Sequence, residues 1–282
     1  MKATLIDEPF DQKGWIFEVK WDGYRAFATK DHLTSKNQTS YDKRFPEILH
    51  ELKNIPGKFM LDGEIVVLDE KGRSNFQMLQ NKEGKPCYYV FDLLTLNGKD
   101  LRKLPLIERK EILKRLLKQS KVSRIRFSEH VKEKGIAFFE LAKKKGLEGI
   151  MAKKEDSPYV FTRSRDWLKI KVKQHAKVVI GGYTEPKGGR KFFGGLLVGV
   201  YKKDKELHYV GRVGGGFDGR TLKEVYNKLQ KIKTEKSPFI TKLKLKGVTW
   251  LKPQYSCNVV FAEWTNDKKL RQPIYDDELH KS

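Results

Sequence analysis

Residues 14–30 read GWIFEVKWDGYRAFATK, and this stretch indicates both the fold and the chemistry of the first half of the chain. Side chains alternate between the two faces of a strand, so Glu18 and Lys20 lie on the same face. Asp22-Gly23 is typical of a tight turn, which predicts a hairpin made of two adjacent strands. The Lys20 amine, the Glu18 carboxylate and the Arg25 guanidinium would then meet at one turn. Taken alone, such a group is more often structural than catalytic.

The chain is strongly basic in both halves. Its 282 residues suit two domains, and 59 Lys and Arg against 36 Asp and Glu give a net charge of +23. Residues 1–173 carry 37 basic and 25 acidic side chains, and residues 174–282 carry 22 and 11. A positive charge spread over two domains favours a polyanion such as nucleic acid, bound by both of them. A generally lysine-rich surface is the plainer alternative.

Several classes of protein are excluded by what the sequence lacks. No apolar run approaches the roughly 18 residues of a membrane span, and MKATLIDEPF has no signal-peptide core, so we expect a soluble intracellular protein without membrane contact. Cys87 and Cys257 form no CxxC pair, which leaves oxygen ligands for any metal. The glycine-rich EPKGGRKFFGG and VGRVGGGF lack a phosphate-loop pattern and are interpreted as barrel turns. No hydrolase motif is present.

The first domain is predicted to be mixed α and β. Strands are expected at residues 59–69, 87–94, 149–154 and 166–173, and helices at 44–53, 107–117 and 135–145. Gly146 would cap the last helix. In DWLKIKVK, alternation places Lys169, Lys171 and Lys173 on one face of a strand.

The second domain is predicted to be a small barrel. Short strands with glycine turns are followed by the helix TLKEVYNKLQKI and by two late strands, GVTWL and NVVFAEW. Thr221 and Glu224 have capping-box spacing at the start of this helix. Five strands with one helix suit an OB-like fold. We therefore predict domains at residues 1–174 and 175–282.

An ordered set of motifs identifies a resemblance. KWDGYR, LDGE, YYVFD, EGIMAK and WLKIK resemble the ATP-dependent DNA ligases, and VVIGGYTEPKGGR, YVGRVGGGF, FAEWT and LRQP are similar to the ligase module of bacterial and archaeal end-joining ligase D. The resemblance implies an α+β fold, in which a nucleotidyltransferase domain of ATP-grasp-like antiparallel sheets with helices precedes an OB-fold β-barrel. It also implies an enzyme that uses ATP and seals nicks in duplex DNA through a lysyl-AMP intermediate and a DNA-adenylate.

The resemblance assigns Lys20 as the nucleophile that attacks the α-phosphorus of ATP and expels pyrophosphate. Because the pKa of a free lysine is near 10.4, the reactive neutral amine costs roughly 4 kcal/mol at neutral pH. Lys169 and Lys171 would lower this cost and neutralise the triphosphate, which makes them catalytic as well as nucleotide-binding. The other implied nucleotide-binding residues are Glu18, Arg25, Glu64 (ribose), Phe91 (stacking on adenine) and Met151 (opposite face of adenine).

The resemblance also implies a metal and contacts with DNA. Glu148, with Glu64, would bind Mg²⁺ or Mn²⁺. Arg25, Lys36 and Arg44 would contact nucleic acid, with Arg25 at the 5′-phosphate of the nick. Lys36, in Ser35-Lys36-Asn37, stands where the family usually has an arginine, and a lysine does not supply a bidentate fork.

The C-terminus departs further from the family. Residues 274–282, IYDDELHKS, lack the arginine that usually orients the leaving pyrophosphate, and we expect Lys281, or Lys268 and Lys269, to replace it. An RNA ligase or GTP-using capping enzyme, and a nucleic-acid clamp without catalysis, remain alternatives.

The expected partner is nicked duplex DNA, bound by a monomer. The expected location is the cytoplasm of a bacterium or archaeon, in association with the nucleoid. A Ku-like end-binding protein would be a partner if the chain joins breaks rather than repairing nicks, and the sequence leaves that choice open.

Overall fold

The computed structural model describes residues 1–202, 205–262, 264–265, 267–276 and 279–281 and divides the chain into two compact units, Met1–Val172 and Lys173–Ser282. The domain boundary predicted after residue 174 falls two residues later than this division. Three residues of the unusual C-terminal segment, Asp277, Glu278 and Ser282, lie outside the described residues.

The first unit consists of two sheets and four helices. The strands are β1 (Lys2–Ile6), β2 (Trp15–Val19), β3 (Tyr24–Ala28), β4 (Leu33–Ser35), β5 (Phe59–Val67), β6 (Pro86–Leu96), β7 (Lys99–Asp100), β8 (Ile125–Phe127), β9 (His130–Lys132), β10 (Gly149–Lys154) and β11 (Arg163–Lys171). The helices are α1 (Pro46–Leu52), α2 (Phe76–Gln80), α3 (Leu106–Lys118) and α4 (Gly135–Lys144). The predicted strands and helices of this half are confirmed within a few residues, and Gly146, with φ +67°, follows the end of α4 as expected.

The strand order shows how the two sheets of the first unit are built. The first sheet has the order β1-β11-β10-β2-β9, in which β1 runs parallel to β11 and the other pairs are antiparallel. The second has the order β4-β3-β5-β6-β7, with β8 parallel to β6. Helix α3 packs on β6 and β8, and its apolar side chains, Leu113, Leu116 and Leu117, enter the core of the second sheet.

The predicted hairpin at Asp22-Gly23 is wrong. Strand β2 pairs with β10 and β9, whereas β3 pairs with β4 and β5, so residues 20–23 cross from one sheet to the other. A Cβ at Gly23 would lie 2.0 Å from the backbone oxygen of Ile65. Glycine is therefore needed at this position because β5 approaches closely, and not because a hairpin turns there.

The second unit is a curved sheet with one helix. Its elements are β12 (Gln174–Thr184), β13 (Gly195–Tyr201), β14 (Leu207–Val213), α5 (Gly219–Gln230), β15 (Lys233–Thr234), β16 (Val248–Leu251), β17 (Tyr255–Phe261), β18 (Ile274–Tyr275) and β19 (His280–Lys281). The long strand β12 pairs with β13 along one edge and with β17 and then β16 along the other. A parallel bridge between Gly215 and Ile274 connects the end of β14 to β18, which pairs with β17. The observed sheet is a half-barrel, in agreement with the small OB-like barrel predicted from five strands and one helix.

Helix α5 begins at a different residue from the one predicted. Its N-cap is Asp218, whose carboxylate accepts a hydrogen bond from the backbone N–H of Thr221 at 2.7 Å. Thr221 is therefore inside the first turn, and the predicted capping box of Thr221 and Glu224 is wrong. The helix buries Leu222, Val225 and Leu229 against the barrel. No helix within the described residues is both long and apolar enough to span a membrane.

Candidate active site

A cavity of about 260 Å³ in the first unit is lined by strands of both sheets. The predicted site residues that line it are Glu18, Lys20, Arg25, Lys36, Glu64, Phe91, Met151 and Lys169. Lys20 follows β2 directly, at the point where the chain leaves the first sheet, and its backbone N–H donates to the oxygen of Gly149 at 3.0 Å. The nucleophile predicted from the sequence therefore lies at the crossing between the sheets.

Glu148 connects two of the predicted lysines. The Lys20 ammonium donates to Glu148 Oε2, and Lys171 Nζ lies 3.2 Å from Glu148 Oε1. Glu148 and Lys171 do not line the cavity themselves, but the ion pair places Glu148 beside the nucleophile. Burial and the positive charges of Lys171 and Lys20 lower the pKa of Lys169, which lies on the same strand, β11.

Glu64 is a carboxyl group with no partner. It extends from β5 into the cavity and makes no side-chain hydrogen bond or ion pair with any residue that the structure describes. Burial raises the pKa of Glu64 to about 8. The positive charges of Lys20 and Arg25 lower this pKa, whereas the negative charges of Asp62 and Glu148 raise it further. The cavity thus contains an acceptor that a cation or a ligand hydroxyl would satisfy.

The donors near Lys20 fit a divalent cation. Glu64 and Glu148 offer hard carboxylate oxygens. Glu148 is close enough to Glu64 for its negative charge to raise the pKa of Glu64. Nowhere in the described ranges do three or more His, Cys, Asp or Glu side chains form a metal-binding group. This is still compatible with Mg²⁺, which commonly takes one or two carboxylates from the protein and completes its coordination with phosphates and water.

Glu18 lies in the wall of the cavity and is held by two lysines. It is 1% exposed, and its oxygens accept from Lys110 Nζ at 2.7 Å and from Lys153 Nζ at 2.9 Å. Burial alone would raise the pKa of Glu18, but Lys110 and Lys153 together lower it, so the side chain is a carboxylate at neutral pH. The predicted contact of Glu18 with the nucleotide remains a prediction, because protein donors already bind both oxygens.

Aromatic and apolar side chains form the part of the cavity predicted to hold the base. Phe91 and Met151 both line it, and the Phe91 ring packs edge-on against Trp167 with 5.9 Å between ring centroids. Lys153 Nζ lies 4.4 Å from the centre of the Phe91 ring and 4.0 Å from that of Trp167. These contacts fix the position of the Phe91 ring at the wall of the cavity.

Arg25 lines the cavity but is bound to a carboxylate of the protein. Its Nε and Nη2 donate to the two oxygens of Asp62 at 2.9 and 2.6 Å, and the Tyr159 hydroxyl donates to Asp62 at 2.7 Å. Burial alone would lower the pKa of Arg25, but Asp62 raises it well above its ordinary value. A phosphate bound by Arg25 would have to share the guanidinium with Asp62.

The other two residues predicted to bind nucleic acid differ in position. Lys36 is an exposed side chain at the rim of the cavity. Partial desolvation at the rim lowers its pKa, and the positive charges of Lys2, Arg25 and Arg163 lower it further. Arg44 does not line the cavity, because its Nη2 donates to the Tyr24 hydroxyl at 3.1 Å and its guanidinium lies 4.5 Å from the centre of the Tyr24 ring.

Sequence reasoning missed several residues of the site. Lys153 could have been found, because it follows Met151 by two positions in the strand GIMAKK and therefore shares its face. Asp62 could have been found in the same way, because it precedes Glu64 by two positions in the motif LDGE on β5. Lys110 and Tyr159 gave no such signal, since each reaches the site through contacts distant in sequence.

The lysines proposed to replace the missing C-terminal arginine belong to the second unit. Lys269 Nζ donates to the backbone oxygen of Tyr209 at 2.7 Å and lies 4.3 Å from the centre of its ring. Lys268 and Lys281 are exposed. The replacement remains a prediction.

Two family models cover most of the chain. The ATP dependent DNA ligase domain matches residues 2–171, and the ATP dependent DNA ligase C terminal region matches residues 189–278. Among curated proteins, the multifunctional non-homologous end joining protein LigD of Pseudomonas aeruginosa is 37% identical over 97% of this chain and 34% of its own length. The chain spans about a third of the length of the first curated relatives that it matches.

Solved structures agree with the family models. The ligase domain of LigD from M. tuberculosis is 30% identical, with a TM-score of 0.59 over 97% of this chain and 93% of that one. A mycobacterial DNA ligase D, solved in complex with ATP and MES, is also 30% identical, with a TM-score of 0.56 over the same shares. The predicted fold class, a nucleotidyltransferase domain followed by an OB fold, is confirmed. The chain belongs to the ATP-dependent DNA ligase family, whose members use ATP to seal nicks in DNA.

Proposed function

We propose that this chain seals nicks in duplex DNA by way of an AMP adduct on Lys20. The observation that carries the proposal is the position of Lys20, which lies in a cavity between two sheets, paired with Glu148 and close to the unpartnered Glu64. The family membership supports ATP as the source of AMP, and the related mycobacterial ligase D solved with ATP adds to this support.

In the first step Lys20 Nζ attacks the α-phosphorus of ATP and the bond to pyrophosphate breaks. The attacking nitrogen must be neutral, so the Lys20 ammonium has to leave its ion pair with Glu148 and give up a proton to the solvent. Lys169, which lines the cavity, and Lys171 provide positive charge for the triphosphate and for the charge that develops on the leaving group.

Glu64 and Glu148 are the residues that would hold Mg²⁺ or Mn²⁺. The bound cation would supply positive charge to the phosphates. Glu148 is also the ion-pair partner of Lys20, so a cation held by Glu148 would compete with the Lys20 ammonium for this carboxylate.

Phe91 and Met151 form the walls between which the base would lie, and the stacking of a purine on Phe91 would orient the α-phosphate toward Lys20. Glu18 stays charged between its two lysines and limits which hydrogen-bonding edges of a base fit beside it.

In the later steps AMP passes to the 5′-phosphate of the nick, and the 3′-hydroxyl then attacks and releases AMP. Arg25 and Lys36 lie at the cavity and are the proposed contacts for the DNA phosphates, whereas Arg44 is proposed as a more distant contact. The relatives named for end joining support a role in break repair with a Ku-like partner, which we propose as the setting of the reaction.

The test is the mass of the protein after incubation with ATP and Mn²⁺. The wild-type chain and Lys13→Ala, which alters an exposed lysine, should gain one AMP, whereas Lys20→Ala and Lys20→Arg should gain none and should not seal a nicked duplex. An adduct on Lys20→Ala would contradict the assignment. Labelling by GTP, or sealing of nicked RNA alone, would favour the rival nucleotidyltransferases, and DNA binding without any adduct would favour a non-catalytic clamp.

A further inference from the structure

The segment of residues 20–23 that joins the two sheets is not itself part of a strand. It begins with Lys20, the proposed nucleophile, so the position of the reacting amine depends on how this short connection is held. On the side of β2, the backbone N–H of Lys20 donates to the Gly149 oxygen at 3.0 Å. On the other side, β3 begins only at Tyr24, so contacts outside the strand ladders must hold the residues that follow Lys20.

Trp21, the residue directly after Lys20, is held by two contacts. Its indole ring stacks on the Tyr89 ring, with 3.8 Å between the ring centroids and 24° between the planes. Its indole N–H donates to the Ser128 hydroxyl at 3.3 Å. The stacking fixes the plane of the indole, and the hydrogen bond fixes its rotation within that plane. We call Trp21, Tyr89 and Ser128 the indole clamp.

The two partners of the indole are themselves held in place. Tyr89 lies on β6, and its hydroxyl accepts a hydrogen bond at 3.2 Å from Nη1 of Arg126, on the neighbouring strand β8. Ser128 follows β8 and is buried, and its hydroxyl donates to Glu18 Oε2 at 3.3 Å. The indole clamp therefore connects the segment after the nucleophile to the second sheet and to the buried carboxylate in the cavity wall.

The position of the stacked rings argues against a role in ordinary core packing. Among the described residues, neither ring belongs to a hydrophobic core cluster, and both Trp21 and Tyr89 are only half-buried. Trp21 lines the cavity around Lys20, whereas Tyr89 is not among the residues that line it. The Tyr89 ring thus contacts the indole from outside the cavity, as a support does.

We propose that Trp21 and Tyr89 are positioning residues for the first chemical step, because they hold the chain so that the Lys20 amine meets the α-phosphorus of ATP. The proposal rests on the proposed function, since it takes Lys20 as the nucleophile. The reacting atoms must lie about 3–3.5 Å apart, and a displacement of about 1 Å costs up to roughly 100-fold in rate. The indole clamp shares this role with Ser74, whose hydroxyl accepts from the Asp22 N–H at 3.2 Å.

The experiment measures the single-turnover rate of AMP-adduct formation against ATP concentration, after pyrophosphate has removed any AMP already bound. Tyr89→Leu loses the stack and should lower the maximal rate roughly tenfold, whereas Trp21→Leu loses both contacts and should lower it up to roughly 100-fold. The ATP concentration at half the maximal rate should change by less than about twofold in Tyr89→Leu. Tyr89 is paired with Glu64 across β5 and β6, so a loss confined to this concentration would indicate a disturbed nucleotide site and would overturn the inference.

Two matched variants separate the stack from other effects of substitution. Tyr89→Phe keeps the ring and loses only the hydroxyl, so its maximal rate should lie within about twofold of wild type. Phe10→Leu removes a different aromatic contact of the first unit, against the ring of Trp15 at 5.1 Å, and does not touch the cavity. If Phe10→Leu slowed adduct formation as much as Tyr89→Leu at an equal loss of melting temperature, the effect would be one of stability and the inference would be overturned.

A second reaction separates positioning of the nucleophile from general damage to the site. When a nicked duplex already carries AMP on its 5′-phosphate, the 3′-hydroxyl attacks and Lys20 forms no bond to phosphorus. Tyr89→Leu should therefore seal this substrate at nearly the wild-type rate, and an equal loss in both reactions would overturn the inference. Lys20→Ala is measured in parallel, because an adduct on that variant would refute the proposed function, whereas a wild-type rate of adduct formation in Tyr89→Leu would refute the positioning role alone.

Discussion

Replacing Glu64 by glutamine tests whether this carboxyl group is unpartnered in the protein without nucleotide. Burial raises the pKa of Glu64 from an ordinary 4.5 to about 8. The folded state therefore keeps a proton that the unfolded state loses between these two pH values, and the free energy of unfolding falls as the pH rises from 4.5 to 8. Glutamine does not titrate, so the free energy of unfolding of Glu64→Gln does not fall in this way as the pH rises. The variant should thus become progressively more stable than wild type over that range.

The size of the stability difference between Glu64→Gln and wild type follows from the pKa shift of Glu64. At 1.36 kcal/mol per pKa unit, the rise from 4.5 to about 8 sets an upper limit of about 5 kcal/mol, reached at pH 8 and above. Because the side chain is only half-buried and faces the cavity, we expect about 2 kcal/mol. The effect should be negligible at pH 4.5 and below.

The assay is urea denaturation at pH 5, 6.5 and 8.5, in EDTA and without nucleotide. Glu70→Gln is the control, because this exposed glutamate has no ion-pair partner within the described residues and should show little difference from wild type at any of these pH values. A stability difference between Glu64→Gln and wild type that does not change with pH would refute the argument, since the carboxyl would then titrate as it does in the unfolded chain.

Two further predictions concern the packing around the site. Lys153→Met should lower the free energy of unfolding by about 3 kcal/mol, because Glu18 keeps only Lys110 as a cationic partner, and the loss should be much smaller in a Glu18→Gln background; urea denaturation of the four proteins checks this. Gly23→Ala should destabilise by about 2 kcal/mol or more, because its Cβ would meet the Ile65 oxygen, whereas Gly219→Ala, with open space around it, should be neutral or slightly stabilising in thermal melting.

The sequence predicted the secondary structure well where the signal is local. Local sequence patterns predicted β10 at Gly149–Lys154 and predicted α3 within one residue at each end. The same local reasoning failed at Asp22-Gly23, because a turn-forming dipeptide does not reveal with which strands its neighbours pair. Strand partners distant in sequence decide that question, and a single sequence carries little information about them.

The candidate site shows the same division. Lys20, Glu64, Phe91, Met151 and Lys169 were found from short motifs, and the structure brings all of them to one cavity. The groups that hold them in place were not found, because each contact depends on burial. A lysine in a helix such as α3 is normally a solvated side chain, and only the fold shows that Lys110 is 1% exposed and bound to Glu18.

The position of the crossing between the sheets explains why the motif KWDGYR has its spacing. Lys20 directly follows β2 of the first sheet, and Arg25 lies on β3 of the second sheet, yet both side chains line the same cavity. Within that crossing the backbone N–H of Asp22 donates to the Ser74 hydroxyl, and Gly23 allows β5 to approach. A longer connection would separate the amine from the guanidinium, and a bulkier one would displace β5 and with it Glu64. The spacing is thus a requirement of the site's geometry, imposed because two sheets contribute the reacting group and the groups around it.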